Sequence, residues 1–128
     1  MPKPRTHRLG ELQLRIMKIL WADPQATVGT VHEALGGADA FAYTTIATML
    51  RKMEVRGLVR HRAEGRSFLY RAAVDEARVG GSMVNHVVDR MFEGSLADAV
   101  AHLLDSRDIS RAELAQIEKL IAERRKSL

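Results

Sequence analysis

The apolar pattern of this chain leaves its helical period at Gly57, and that change limits what it can fold into. Before Gly57 the apolar residues recur at helical spacing. Leu12, Ile16, Ile19 and Leu20 fall at i, i+4, i+7 and i+8 with Met17 beside them, which predicts a first helix over Leu9 to Trp21. Asp23-Pro24 ends it, because proline disfavours helical geometry in the residue before it. Thr27 is placed to cap a short second helix through Val28, Val31 and Leu35, and Gly36-Gly37 closes that helix. Ile46, Met49, Leu50 and Met53 mark the third, with Gly57 as its stop. After Gly57, Leu58 to Arg62 and Ser67 to Arg71 read as two strands, and Ala63-Glu64-Gly65-Arg66 reads as the turn of a β-hairpin. Three short helices and then a hairpin is the order of a winged helix-turn-helix.

From Ala73 the helical period returns. Val79, Met83, Val87 and Met91, with Val84, Val88 and Phe92, make one wide apolar face, although Gly80-Gly81 blurs where that helix begins. Gly94-Ser95 breaks the chain, and Ser95 with Asp98 resembles a capping box for Leu96 to Leu104. Ser110-Arg111-Ala112-Glu113 opens a last helix with Leu114, Ile117, Leu120 and Ile121 along one stripe. So small a set of helices cannot readily bury three apolar faces alone, and pairing with a second copy is the economical solution. The expectation is therefore a mainly α fold with a small β-hairpin wing: a winged helix-turn-helix over 1–73 and a helical dimerisation domain over 74–128. Met83, Val87, Met91, Leu103, Leu114, Ile117 and Ile121 are the expected dimer interface or local core. Folding back on the N-terminal half as a monomer is the competing arrangement.

Charge divides the chain at nearly the same place. Residues 1–74 carry twelve Lys and Arg (Lys3, Arg5 and Arg8 among them) against six acids, whereas residues 75–128 carry eight against ten. A basic front suits a polyanionic partner; an ordinary solvated surface is the alternative. The absence of cysteine excludes a disulfide framework, a Cys-ligated zinc finger, a Cys-held iron–sulfur cluster and a thiol nucleophile. Apolar runs are far shorter than the roughly 20 residues that cross a bilayer, and no apolar segment of signal-peptide type follows the basic start. No membrane insertion and a cytoplasmic location are expected.

The third helix must present a second face to solvent or ligand. On it Thr44, Thr48 and Arg51 lie at i, i+4 and i+7, and Thr45, Thr48 and Lys52 at i, i+3 and i+7. Threonine hydroxyls bond base edges or phosphates, their methyls meet thymine methyls, and arginine reads guanine bidentately. A solvated face of an unrelated bundle is the bland reading, against which threonine's poor helix propensity counts. The hairpin carries Arg60, His61, Arg62, Arg66 and Arg71; period-two geometry sets Arg60 and Arg62 on one face and Val59 and His61 on the other. Those arginines can grip phosphates or guard an exposed strand edge. For catalysis the residues are thin. His7, His32, His61, His86 and His102 show no metal-ligand spacing, and there is neither a nucleophile elbow nor a glycine-rich phosphate loop. No enzyme activity, metal or cofactor is expected.

Several segments resemble the penicillinase repressor family (BlaI, MecI and CopY type). They are Leu9-Gly-Glu-Leu-Gln-Leu-Arg-Ile-Met-Lys-Ile-Leu-Trp21, Thr27-Val-Gly-Thr-Val-His-Glu-Ala-Leu35, Ala42-Tyr-Thr-Thr-Ile-Ala-Thr-Met-Leu50, Gly57-Leu-Val, Gly65-Arg-Ser-Phe-Leu-Tyr70 and Phe92-Glu-Gly-Ser95. The resemblance spans about residues 9–124. It implies a homodimeric repressor of pseudo-palindromic operator DNA, controlling a β-lactam-resistance-like or stress-response operon. The helix matching Tyr43 to Arg56 would enter the major groove, the wing matching Arg60 to Arg71 would contact the backbone, and the C-terminal helices would form the dimer. Tyr43, Thr44, Thr45, Thr48, Arg51, Lys52, Arg62 and Arg66 are the expected DNA contacts. It also implies a sensor-linked protease as a partner; the family's Asn-Phe cleavage pair corresponds to His102-Leu103 here. The copper-binding cysteine cluster of some relatives has no counterpart. Ala42 stands where some relatives have serine, so the third helix lacks that side-chain cap. The competing function is a winged-helix protein-interaction module without sequence-specific DNA binding; a nuclease, resting on His61 and Glu64 alone, is weaker.

Overall fold

The computed structural model describes residues 9–128. Lys3, Arg5, Arg8 and His7, counted above in the basic front or among the histidines, lie outside the described residues. The chain divides into two compact units, with the boundary between Asn85 and His86.

In the first unit, α1 (Glu11–Ala22), α2 (Val28–Ala34) and α3 (Tyr43–Val55) precede a hairpin of β1 (Val59–Glu64) and β2 (Ser67–Ala72), and α4 (Glu76–Met91) begins. The first helix starts two residues later than its apolar stripe predicts. Gly10 caps it in extended geometry, and the Gln13 side chain accepts from the Gly10 amide at 3.2 Å. Thr27 caps α2 as expected, its hydroxyl accepting from the Thr30 amide at 3.1 Å. Beyond α2, Gly36 sits at φ 109°, and a Cβ built there would lie 2.9 Å from the Ala40 Cβ. Left-handed geometry and close approach both require glycine at that position. A single 3-10 turn, Gly37–Asp39, then leads to α3. Ala42 caps α3 without any side-chain hydrogen bond.

The strands are longer than alternation alone indicates. Pairing runs from Val59 opposite Ala72 to Glu64 opposite Ser67, so Ala63 and Glu64 belong to β1 and the turn shrinks to Gly65-Arg66. Gly65 supplies the positive φ, 61°, that so tight a turn demands. Ala26 adds a short third rung that periodicity does not reveal. Its amide donates to the Tyr70 carbonyl at 3.1 Å, and the Tyr70 amide donates back at 2.8 Å.

The core gathers Ile16, Met17 and Leu20 from α1, Val31 and Leu35 from the α2 segment, and Ile46, Leu50 and Met53 from α3, with Ala26, Leu58, Val59 and Tyr70. Met17, placed beside the stripe in sequence, is fully buried, while Leu12 and Ile19 close the margin. Trp21 donates its indole N–H to the Val74 carbonyl at 2.9 Å, and Lys18 pairs with Glu76. The chain leaving the wing is thereby tied to α1.

The second unit holds the end of α4, then α5 (Leu96–Ser106) and α6 (Arg111–Lys126). The helix α4 passes unbroken through Gly80-Gly81. Ser95 and Ser110 each cap the following helix by accepting from the amide three residues on, at 3.1 Å in both cases. The Phe92 ring lies 5.7 Å from that of His102. Ala99 is the buried apolar residue of this unit, and much of the remaining apolar surface stays open: Met91 is 74% exposed and Leu120 65%.

Candidate nucleic-acid interface

Three inward residues, Ile46, Leu50 and Met53, fix the rotation of α3 about its axis. The side chains on the other side are thereby turned outward. Thr44, Thr45, Arg51 and Lys52 are exposed and Thr48 is half-buried. The Arg51 guanidinium donates to the Thr48 hydroxyl at 3.2 Å, which steers one end of the row. Thr44, Thr45, Thr48, Met49 and Lys52 line a shallow concavity of about 300 Å³. Hydroxyls, methyls and cations alternate along this face, the mixture that base edges and phosphates together can engage.

Two residues outside the expected set, His32 and Gln13, orient α3. Buried His32 on α2 lies 2.7 Å, through Nε2, from the Phe41 carbonyl. A carbonyl only accepts, so Nε2 carries the proton and donates. The same ring meets Tyr43, the first residue of α3, edge-on at 5.7 Å. Tyr43 remains 53% exposed. At the N-terminal end of α1, Gln13 accepts from Arg56 at 2.9 Å and donates to the Met49 sulfur at 3.6 Å, joining α1 to the far end of α3.

The wing register confirms the expected alternation. Arg60 faces Arg71 and Arg62 faces Leu69 on one side; Val59, His61 and Tyr70 lie on the other. Arg62 is held from two directions, donating to the Gln25 side chain at 2.7 Å and standing 3.4 Å from Glu64. Arg66 is exposed at the turn. His61 Nδ1 meets Glu54 Oε1 of α3 at 2.6 Å, and its ring stacks on Phe68 at 4.3 Å. Helix and wing are thus joined by a side-chain hydrogen bond. Burial pushes the Tyr70 hydroxyl pKa up, the Glu54 carboxylate pushes it further, and Arg51 opposes them.

All eight expected DNA-contact residues therefore belong to the first unit, six on α3 and two on the wing. Of the expected interface residues, Met83 and Ile117 are half-buried, and Val87, Met91, Leu103, Leu114 and Ile121 are exposed. Gln25, His32 and Glu54 escape a reading by periodicity. Each is a polar residue whose role depends on a partner remote in sequence, Arg62, Phe41 or His61, and only Thr27, beside Gln25, hints at order there. No helix among the described residues is long and apolar enough to cross a membrane.

The family model for the penicillinase repressor matches residues 9–123. The chain is 34% identical over 119 residues to the transcriptional regulator BlaI of Mycobacterium tuberculosis, covering 87% of this chain and 86% of that protein. It is 24% identical over 116 residues to the penicillinase repressor of Bacillus licheniformis, covering 91% of each. Among solved structures it is similar to the DNA-binding domain of the repressor BlaI, with a TM-score of 0.50 and 27% identity over 57% of this chain and 89% of that one. With its winged helix-turn-helix and a family match over most of its length, this chain belongs to the penicillinase repressor family of transcriptional repressors.

Proposed function

We propose that this protein represses transcription in the cytoplasm by binding pseudo-palindromic operator DNA as a homodimer. The observation that carries this is the outward row on α3. Thr44, Thr45, Thr48 and Arg51 would meet bases or nearby phosphates in the major groove, while Tyr43, Lys52, Arg62 and Arg66 anchor the backbone. Membership of a repressor family and likeness to a solved DNA-binding domain support the reading.

The homodimer is supported by what the second unit leaves uncovered. Met91, Leu103, Leu114 and Ile121 are exposed apolar side chains in helices too few to form a large core. Pairing of identical faces about a two-fold axis would cover them and set two copies of α3 about one DNA turn, or a multiple of it, apart. We place the domain boundary near Ala73, where the wing ends and the helices resume. A sensor-linked protease is the partner that the family resemblance implies for release. The matching bond, His102-Leu103, lies inside α5 with both residues exposed, so cutting it requires that helix to open locally.

Sedimentation of the purified protein and anisotropy titration of labelled duplex test the proposal together. A dimer that Met91→Asp dissociates, and duplex binding that weakens steeply with salt, are expected. Failure to bind duplex at low salt would leave the interaction-module reading in its place.

A further inference from the structure

The wing is a two-stranded hairpin, and a hairpin by itself is marginally stable in water. Its root lies in the core, where Val59 is fully buried and packs with Leu58 and Tyr70. Beyond Val59 the rest of β1 is exposed. Among the described residues, two polar side-chain contacts tie that outer part to the rest of the unit. Arg62 donates to Gln25, and a guanidinium keeps its charge at any physiological pH. His61 meets Glu54 of α3, Nδ1 to Oε1 at 2.6 Å. Imidazole, unlike guanidinium, changes charge between about pH 8 and pH 5. One tie is therefore fixed and the other answers to pH.

A carboxylate only accepts, so Nδ1 carries the proton of this hydrogen bond whether the ring is neutral or charged. A second proton, at Nε2, needs no rearrangement and adds Coulomb attraction to the contact. The rings of Phe68 at 4.3 Å and Tyr70 at 5.4 Å lie beside the imidazole. The elements packed against β1 are α3 and β2. From them, Glu54 is the acid in contact with His61, and Tyr70 keeps its hydroxyl proton because burial raises its pKa. Arg51 of α3 is engaged with Thr48, and Lys52 lines the concavity on the threonine row. Arg60, Arg62, Glu64 and Arg71 lie on the opposite face of the hairpin.

We infer that His61 is a positioning residue whose protonation locks the wing to α3 and so tightens DNA binding. The inference rests on the DNA-binding reading above and adds to it regulation by pH. A loosely held wing must be ordered when DNA binds. A wing already held by an ion pair has less freedom to lose, and pre-organisation of that kind raises affinity. Proton uptake and DNA binding then favour each other, so acidification strengthens binding.

The experiment uses the full chain as wild type, Glu54→Gln, His61→Gln and the double variant. The two side chains are 30% and 32% exposed, so the substitutions leave the core untouched. Each protein is titrated against a short labelled duplex of arbitrary sequence, at fixed ionic strength, from about pH 8 to about pH 5.5. His32, His86 and His102 are common to all of them, so the quantity read is the ratio of wild-type to variant affinity at each pH. For either single variant that ratio is expected to grow about two- to fivefold toward the acid end. The double variant is expected to match the singles, because each removes the same pair. Glu54→Gln decides the matter, since it leaves the imidazole in place. If it keeps the wild-type pH profile while His61→Gln loses it, the proton acts on DNA directly and the positioning role is overturned. Parallel profiles in all the proteins would overturn it equally and leave the contact a structural one. Wild-type protein that binds no duplex at low salt anywhere in this range would instead refute the DNA-binding reading beneath it.

Discussion

Glu54, near the end of α3, and His61, on the first strand of the wing, meet through Oε1 and Nδ1 at 2.6 Å. Behind His61 lie the rings of Phe68 at 4.3 Å and Tyr70 at 5.4 Å. The contact joins α3 to the hairpin, so the two elements proposed to face DNA are fixed to each other as well as to the core. The Glu54 carboxylate also acts on Tyr70, whose hydroxyl already resists ionisation because it is buried.

That resistance ties part of the fold's stability to pH at the alkaline end. The Tyr70 pKa is raised above its ordinary 10.0 by burial first and Glu54 second. In the window between the ordinary value and the raised one, the unfolded chain has lost a proton that the folded chain keeps, so stability falls as pH rises. The contribution is complete below about pH 10 and is lost as pH passes through the folded pKa. Denaturant titrations of wild type and Tyr70→Phe at neutral and alkaline pH check this; the variant is expected to show a shallower alkaline decline.

Gly36→Ala is expected to destabilise the first unit by more than about 1 kcal/mol, since the left-handed backbone and the crowding combine. The glycine stands at φ 109° with Ala40 Cβ only 2.9 Å from where its own Cβ would be. Chemical denaturation gives the loss. Equal stability of variant and wild type would mean that the turn between α2 and α3 relaxes freely.

Much of this architecture is legible in the residues alone. Ile46, Leu50 and Met53 define the inward face of α3, and with it the outward row from Thr44 to Lys52, because helical period fixes both at once. Thr27, Ser95 and Ser110 announce their helices through a hydroxyl placed before an apolar run. What escapes notice depends on tertiary contact. Ala26 reads as a loop residue, yet it pairs with Tyr70; Ala63 and Glu64 read as turn, yet they pair with Phe68 and Ser67. A lone residue opposite a strand has no periodicity to betray it. His32, one of five histidines without ligand spacing, becomes a support for α3 only when Phe41 folds back against it.

The turn after α4 contains one residue in an unfavourable conformation. Glu93 lies at φ 52°, next to Gly94 at φ 83°. A side chain disfavours that region and glycine does not, so Glu93→Gly is expected to stabilise the protein by roughly 0.5–1 kcal/mol. Thermal unfolding checks it. A lower midpoint in the variant would show that the Glu93 side chain contributes more than its backbone conformation costs.

Arg51 and Arg62 should fail differently. Arg51→Ala is expected to lose about 1–3 kcal/mol on a preferred site and far less on arbitrary duplex, as a base contact does. Arg62→Ala is expected to weaken both duplexes alike and to lower the salt slope. Parallel titrations on the two duplexes separate the roles. Equal losses for Arg51→Ala on both would place that side chain on the backbone.

Selection of bound sequences from a random duplex pool, at moderate salt and with purified protein, bears most directly on repression through operator recognition. Enrichment of an inverted repeat, with half-sites about one DNA turn apart or a multiple of that, is predicted by a two-fold dimer reading bases through α3. Recovery of the pool without enrichment would contradict it.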